Sequence, residues 1–219
     1  MNEVRVYILC EGQTEESFIK EVLYPHFRKL EIYLTPIILK TDGTSKGGVP
    51  SYANVKKQIL NTCSDSKAYV TTMLDMYGLP ESFPCADGKY ADLKQHASAI
   101  CSAMEADISR HNFIPNIIVH KFETILFSRP QAFEEWFDCK CTAKLEQILN
   151  EHGGNPELIN NGRDTAPSKR IIGTCGEKYN KILHGSLIAI DIGLPVIRDK
   201  CRLFDSWLLK LESLSLTVK

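Results

Sequence analysis

Seven residues near the start, Val4-Arg5-Val6-Tyr7-Ile8-Leu9-Cys10, restrict the fold more than any other stretch. The run is short, mostly apolar, rich in β-branched and aromatic side chains, and bounded by polar residues. That is the pattern of a buried strand. Glu11 stands at its C-terminal end, Gly12 permits a sharp turn, and Thr14 can cap a following helix. Glu15 and Glu16 then fall in that helix's first turn, where the dipole favours acids. A carboxylate between a buried strand and a helix is where open α/β sheets place their sites. Glu11 therefore reads either as a functional acid or as a polar stop to the strand.

The same alternation continues along the chain. Residues 14–30 carry a helical stripe through Phe18, Ile19, Val22, Leu23 and Phe27, with Pro25 expected to kink or end it. Residues 32–39 read as a second strand, placed at an edge or bulge by Pro36. A polar, glycine-rich loop over 40–50 carries Lys40 and Lys46 but lacks Walker spacing. A helix over 51–63 and a strand over 68–74 follow, and Asp75 ends that strand. A long helix over 89–111 leads to a fourth strand over 114–119, flanked by His120 and Lys121, with Glu123 just beyond.

From Pro130 onward the periodicity is helical. Helices are expected over 131–137, 143–151, 168–174 and 195–213, with a buried helical turn at 187–192 and a polar loop at 160–167. Strand and helix in alternation predict an α/β fold with a mostly parallel, Rossmann-like sheet flanked by helices. The helical C-terminal third is expected as an extension packed on it, which divides the chain into 1–128 and 129–219.

The formal net charge of -1 argues against extensive wrapping by nucleic acid, yet leaves room for a local nuclease patch. No run of 18 apolar residues predicts a membrane span. The start lacks a basic stretch before its apolar run, so a cytoplasmic location is expected. The 8 cysteines are scattered, without CxxC, and read as thiols. Cys139, Cys141 and Cys175 with His152 or His184 form the set with any zinc-ligand character.

Glu11, Asp75 and Glu123 each end or follow an apolar run. In a parallel sheet those ends share one rim, so acids distant in sequence converge there. Like charges in a partly desolvated cleft require a cation or a proton. An oxygen-only set suits Mg²⁺ or Mn²⁺, which polarises phosphoryl groups and activates water. Each acid also has a plain reading, Asp75 as a turn cap and Glu123 as a first-turn helix acid. His120 and Lys121 offer a proton donor and a phosphate contact, or a solvated strand end. Arg163, Lys169 and Arg170 lie in or after the second polar loop and suit phosphate binding, or a solvated helix face. Tyr77, Phe83 and Tyr90 offer base-stacking surfaces or turn packing.

Glu11-Gly12 with the later strand-ending Asp75 resembles the Toprim fold of topoisomerases, primases and OLD-type nucleases. There an early glutamate and an Asp-x-Asp pair hold magnesium beside the scissile phosphate. Four segments also resemble a Toprim-like bacterial family of unknown function: Cys10-Glu11-Gly12-Gln13-Thr14-Glu15, Leu74-Asp75-Met76-Tyr77-Gly78, the eight residues from His120 to Phe127, and the stretch 161–169. Genes of that family often lie beside those of AAA-type or ABC-type ATPases, in defence or mobile-element contexts.

The resemblance implies a Toprim-like sheet and a magnesium-dependent nuclease acting on DNA or RNA. It also implies control by an ATPase partner and a part in phage defence, as a monomer or homodimer. One departure stands out: the second acid of Asp-x-Asp would fall at position 77, which is Tyr77. The alternatives are a non-catalytic binding or regulatory subunit of an ATPase-containing complex, and another magnesium-dependent phosphoryl-transfer enzyme.

Overall fold

The computed structural model describes residues 3–41, 48–119, 121–159, 165–176 and 178–217. The chain divides into two compact units, Met1–Val119 with Leu209–Lys219, and His120–Leu208.

The first unit is built on a parallel sheet of order β2-β1-β3-β4, with β5 also beside β3. Its strands are β1 Val4–Cys10, β2 Ile32–Ile38, β3 Ala68–Asp75, β4 Phe113–Ile114 and β5 Ile117–Ile118. β1 is central, with Val4, Val6, Ile8 and Cys10 apolar along one face, while Leu9 is buried on the other, where Arg5 and Tyr7 reach Asp65. Val6, Ile8, Leu9 and Cys10 are fully buried, each large side chain contributing about 1.5–3 kcal/mol of burial. β2 lies at the edge, where Pro36 opposite Ile8 costs no central ladder bond.

The expected helix over 14–30 is present and passes through Pro25. It runs as α1 Gln13–Phe18, a π-helical turn Ile19–Leu23, and α2 Tyr24–Arg28. Proline cannot donate the usual i→i−4 bond, and the wider turn just before it absorbs that loss. α3 Tyr52–Cys63 packs on β3. α4 Leu93–Ile108 is shorter than the expected 89–111 and packs on β4 and β5. Asp92 caps its start by accepting from the Gln95 N–H at 2.8 Å, and Ser109 ends it in the left-handed region at φ 48°.

The single strand expected over 114–119 is two short pieces. Pro115 separates them, since it has no N–H for the ladder. Both pieces keep one register against β3, with Thr71 opposite Ile114 and Leu74 opposite Ile117. Buried Thr72 fills the gap. Its hydroxyl donates to the Asn116 carbonyl at 2.6 Å and accepts from the Asn116 N–H at 3.0 Å. The Asn116 amide returns a bond to the Thr72 carbonyl at 3.2 Å.

The second unit is organised around a 3-10 helix, Phe122–Ser128, in which every residue is buried. Three residues per turn spread its side chains over all faces, and the surrounding helices cover them. Pro130 opens a further 3-10 turn, Pro130–Phe133, where a longer helix was expected. α5 Cys139–Glu151, α6 Pro167–Cys175, α7 Ser186–Ile192 and α8 Leu194–Lys200 follow. α9 Arg202–Thr217 runs to the end of the described chain.

The one amphipathic helix expected over 195–213 is therefore two. The break falls at buried Cys201, whose sulfur lies 3.5 Å from the Ser128 hydroxyl oxygen. Buried Glu157 caps the new start, accepting from the Leu203 and Phe204 N–H groups at 3.0 Å. Cys141 and Cys175 are joined by a disulfide, which corrects the reading of the cysteines as thiols and takes two ligands from the zinc set. Among the described residues no helix is long and apolar enough to cross a membrane.

Thr72→Val keeps the volume but strands the Asn116 N–H. It should lower stability by about 1–3 kcal/mol, read as a reduced urea midpoint at unchanged m-value. Burial pushes the Glu157 carboxyl up, against the opposing pull of the Leu203, Phe204 and Arg202 N–H bonds. The folded state thus binds a proton that the unfolded state has released. Its contribution is full below the ordinary glutamate pKa and fades as pH rises through the raised one. Urea midpoints taken from about pH 4 to 8 should show that decline in the parent chain and a flatter profile in Glu157→Gln.

Candidate active site

Parallel pairing of β1 with β3 sets Cys10 opposite Met73, so Glu11 and Asp75 leave neighbouring strands at the same edge of the sheet. The Asp75 N–H donates to Glu11 Oε1 at 2.6 Å. Asp75 is 5% exposed, and Glu11 is half-buried. A short 3-10 turn, Met76–Gly78, carries the chain away from Asp75. Gly78 faces the pair: a Cβ built there would lie 3.5 Å from both Glu11 carboxylate oxygens and 3.8 Å from the Asp75 Cβ. The space over the Glu11 carboxylate is thus open because position 78 has no side chain.

Further negative charge gathers beside the end of β1. Glu15 is buried, and its Oε2 lies 3.6 Å from where a Cβ on Gly12 would stand. The Cys10 thiol is pushed up to about 12, first by burial and then by the charges of Glu15, Glu16 and Glu11. Glu16 pairs with Lys20 at 2.7 Å along the helix. Among the described residues no group of three or more His, Cys, Asp or Glu is arranged to hold a metal ion. The first unit offers a carboxylate pair rather than a ready-made cage. Such a pair fits magnesium-type binding, in which one or two protein carboxylates combine with water and substrate phosphate oxygens.

The other residues singled out in the sequence are distributed as follows. Lys40 is exposed and follows the end of β2, with its backbone held by Gln58 through two bonds of 2.9 Å. Tyr77, where the sequence resemblance leads to the expectation of a second acid, is 47% exposed. Phe83 is buried against Tyr52, and Tyr90 stacks on His96 with ring centroids 4.5 Å apart, so both serve packing. Lys46, His120 and Arg163 lie outside the described residues, as does most of each polar loop.

Lys121 and Glu123 belong to the second unit. Glu123 is 2% exposed, with Lys181 Nζ 3.9 Å from its Oε1 and no hydrogen-bond partner on Oε2 among the described residues. Burial, then the Glu123 charge, push the Tyr179 hydroxyl well above the usual phenol range. Lys181 also lies over the Phe122 ring, 5.9 Å from its centroid. At α6, Lys169 is exposed, while Arg170 donates through Nε to the Thr165 carbonyl at 2.7 Å.

Two positions escaped the sequence reading. Gly78 looked like an ordinary turn glycine, though its place directly after Tyr77, where the second acid was expected, was a usable signal. Lys181 gave no signal, because its partner lies far away in the chain.

The chain belongs to the family described as a domain of unknown function, DUF4276, whose model matches residues 10–212. No curated protein matches it. Among solved structures, the chain is similar to the C-terminal region of the Xanthomonas campestris pv. campestris OLD protein, at 14% identity and a TM-score of 0.41, over 96% of this chain and 98% of that one. It is also similar to the C-terminal region of the Burkholderia pseudomallei OLD protein, at 14% identity and a TM-score of 0.34, over 90% of this chain and 98% of that one.

Gly78 takes ordinary contacts for an added methyl and has no left-handed φ. Gly78→Ala should therefore fold normally. Its thermal midpoint should match or exceed the parent's, with up to about 1 kcal/mol gained from a less flexible unfolded chain.

Proposed function

We propose that this DUF4276 member cleaves phosphodiester bonds of nucleic acid at a site centred on Glu11 and Asp75, with Mg²⁺ or Mn²⁺ as the ion. The observation that carries the reading is the meeting of these two acids, separated by 64 positions, through the 2.6 Å bond from the Asp75 N–H to Glu11 Oε1. They meet beyond the carboxyl ends of parallel strands, where open α/β sheets bind ligands. Two acids brought to one edge of the sheet, one of them buried, are favoured by a compensating cation. An oxygen-only donor pair favours a hard divalent ion that keeps most of its shell for water and phosphate oxygens. Such an ion, when bound, polarises the phosphoryl group and lowers the pKa of a water.

The chain's own residues orient and admit the substrate. The Asp75 N–H fixes the Glu11 carboxylate in one orientation, and Gly78 places no side chain against its oxygens. Lys40, exposed beyond the adjacent strand, supplies a charge for a substrate phosphate. Control by an ATPase partner and a role in phage defence rest on the resemblance of the four sequence segments.

Tyr77 favours a second reading. A half-exposed tyrosine where the second acid would stand suits a subunit that binds without cleaving.

Calorimetric titration of Mn²⁺ and Mg²⁺ separates the two. Saturable binding is expected in the parent chain, lost in Glu11→Gln and Asp75→Asn, and weakened about 10- to 100-fold in Gly78→Ala, with folding checked by circular dichroism. Cleavage of single- and double-stranded DNA or RNA should follow the same order and stop on chelation. A folded parent chain that binds neither ion at millimolar concentration would favour the binding subunit.

A further inference from the structure

The Cys141–Cys175 bond lies in the second unit, apart from the chemistry proposed above, and joins the first turn of α5 to the last residue of α6. A cleft of about 700 Å³ opens against it. Both cysteines line that cleft, with Trp136, Phe137, Asp138 and Lys178 among its walls. Cys141 is 3% exposed, whereas Cys175 is half-buried. Of the two bonded cysteines, Cys175 is thus the one with exposed surface at the cleft.

Reactivity elsewhere is low. Burial holds the Cys10 and Cys201 thiols at about 12, and those of Cys63 and Cys101 at about 11. At neutral pH these four carry almost no thiolate, the form that reacts. Cys85 and Cys139 are exposed thiols outside any disulfide, so an entering thiol has no sulfur–sulfur bond to exchange there.

We propose that Cys175 is a thiol-exchange site, at which a small peptide thiol enters this cleft and is captured as a mixed disulfide. The cleft is in the size range of small-ligand sites. Its wall carries both signs of charge, Lys178 for a carboxylate and Glu134 for an ammonium group, while Asp138 caps α5 by accepting from the Cys141 N–H at 2.9 Å and Trp136 offers an apolar face. In the step, the incoming thiolate sulfur forms a bond to Cys175 Sγ. The Cys141–Cys175 bond breaks, and its electron pair leaves with Cys141 Sγ, which takes up the proton the entering thiol released. No net oxidation occurs. A second thiol can then displace the first as its symmetrical disulfide, leaving Cys141 and Cys175 reduced.

The exchange has a structural consequence. In α6 the buried residues are Pro167 and Ile171, so the last turn, 172–175, is tied down chiefly by the disulfide. Opening the bond frees that turn.

The test uses the full chain, isolated without reductant. Alkylation after denaturation should label six of the 8 cysteines, with the peptides of Cys141 and Cys175 linked. Millimolar reduced glutathione added to the folded chain and quenched early with acid should then give one glutathionyl adduct, located on Cys175 by peptide mass spectrometry, before longer exposure leaves both cysteines reduced. Amide exchange over 172–176 should rise while exchange in β1 and β3 stays unchanged. Cys139→Ser should leave the adduct intact, and Lys178→Glu should slow its formation about threefold, the scale of one exposed charge contact. Eight alkylated cysteines, an adduct confined to Cys141 or Cys139, or opening only under denaturing conditions would each overturn the proposal.

Discussion

Parallel hydrogen bonding between β1 and β3 aligns Arg5 with Ala68 and Cys10 with Met73, and the first unit is arranged around that ladder. It places a largely apolar strand in the middle of the sheet, with Val4, Val6, Ile8 and Cys10 buried on one face. It also brings two acids from distant parts of the chain to one edge. A shift of one residue would turn every inward side chain of β1 outward, so the apolar pattern and the meeting of the acids depend on the same register. The bond from the Asp75 N–H to Glu11 then makes this edge a defined geometry rather than two loose carboxylates.

Within each unit, regular backbone structure fails at some points, and a side chain or an altered turn makes good the loss. Pro115 interrupts the strand beside β3, and the Thr72 hydroxyl serves both the donor and the acceptor of Asn116. Pro25 removes a helix bond, and a π-helical turn spreads the deficit. Cys201 ends a helix in the interior, and the Glu157 carboxylate collects the N–H groups left at the next one. Buried backbone groups without partners cost about as much as a lost hydrogen bond, which is why each break has its substitute. The Asn112 amide does similar work, donating to the carbonyls of Cys63, Asp65 and Ala68 where a helix gives way to β3.

The second unit depends on burial of a whole 3-10 segment and on one covalent tie. Glu123 sits in that segment with Lys181 at 3.9 Å, too long for a strong hydrogen bond, so the pairing is mainly electrostatic. Burial acts in opposite ways on its sulfur atoms. It silences the Cys201 thiol, while the half-exposed Cys175 shares a bond that faces a cleft. The same physical variable, access to water, separates inert thiols from a reactive disulfide.

Much of the fold was legible because it rests on local composition. The β-branched runs at β1 and β3, the helical stripe at α3, Pro36 at an edge and Pro130 opening a turn each carry their own signal within a few residues. Glu11 and Asp75 stood out for the same reason, as acids that close apolar runs. What the sequence could not show was which distant groups meet. The register of β1 on β3, the open face that Gly78 leaves over Glu11, the cap from Glu157, the Lys181–Glu123 pair and the Cys141–Cys175 bond each join residues far apart in the chain. The sequence by itself determined an alternating α/β chain with acids at strand ends, because period and side-chain type act locally. Only the tertiary structure decided which acids, cations and sulfur atoms share a space, because that follows from strand register and from helices packing across long loops.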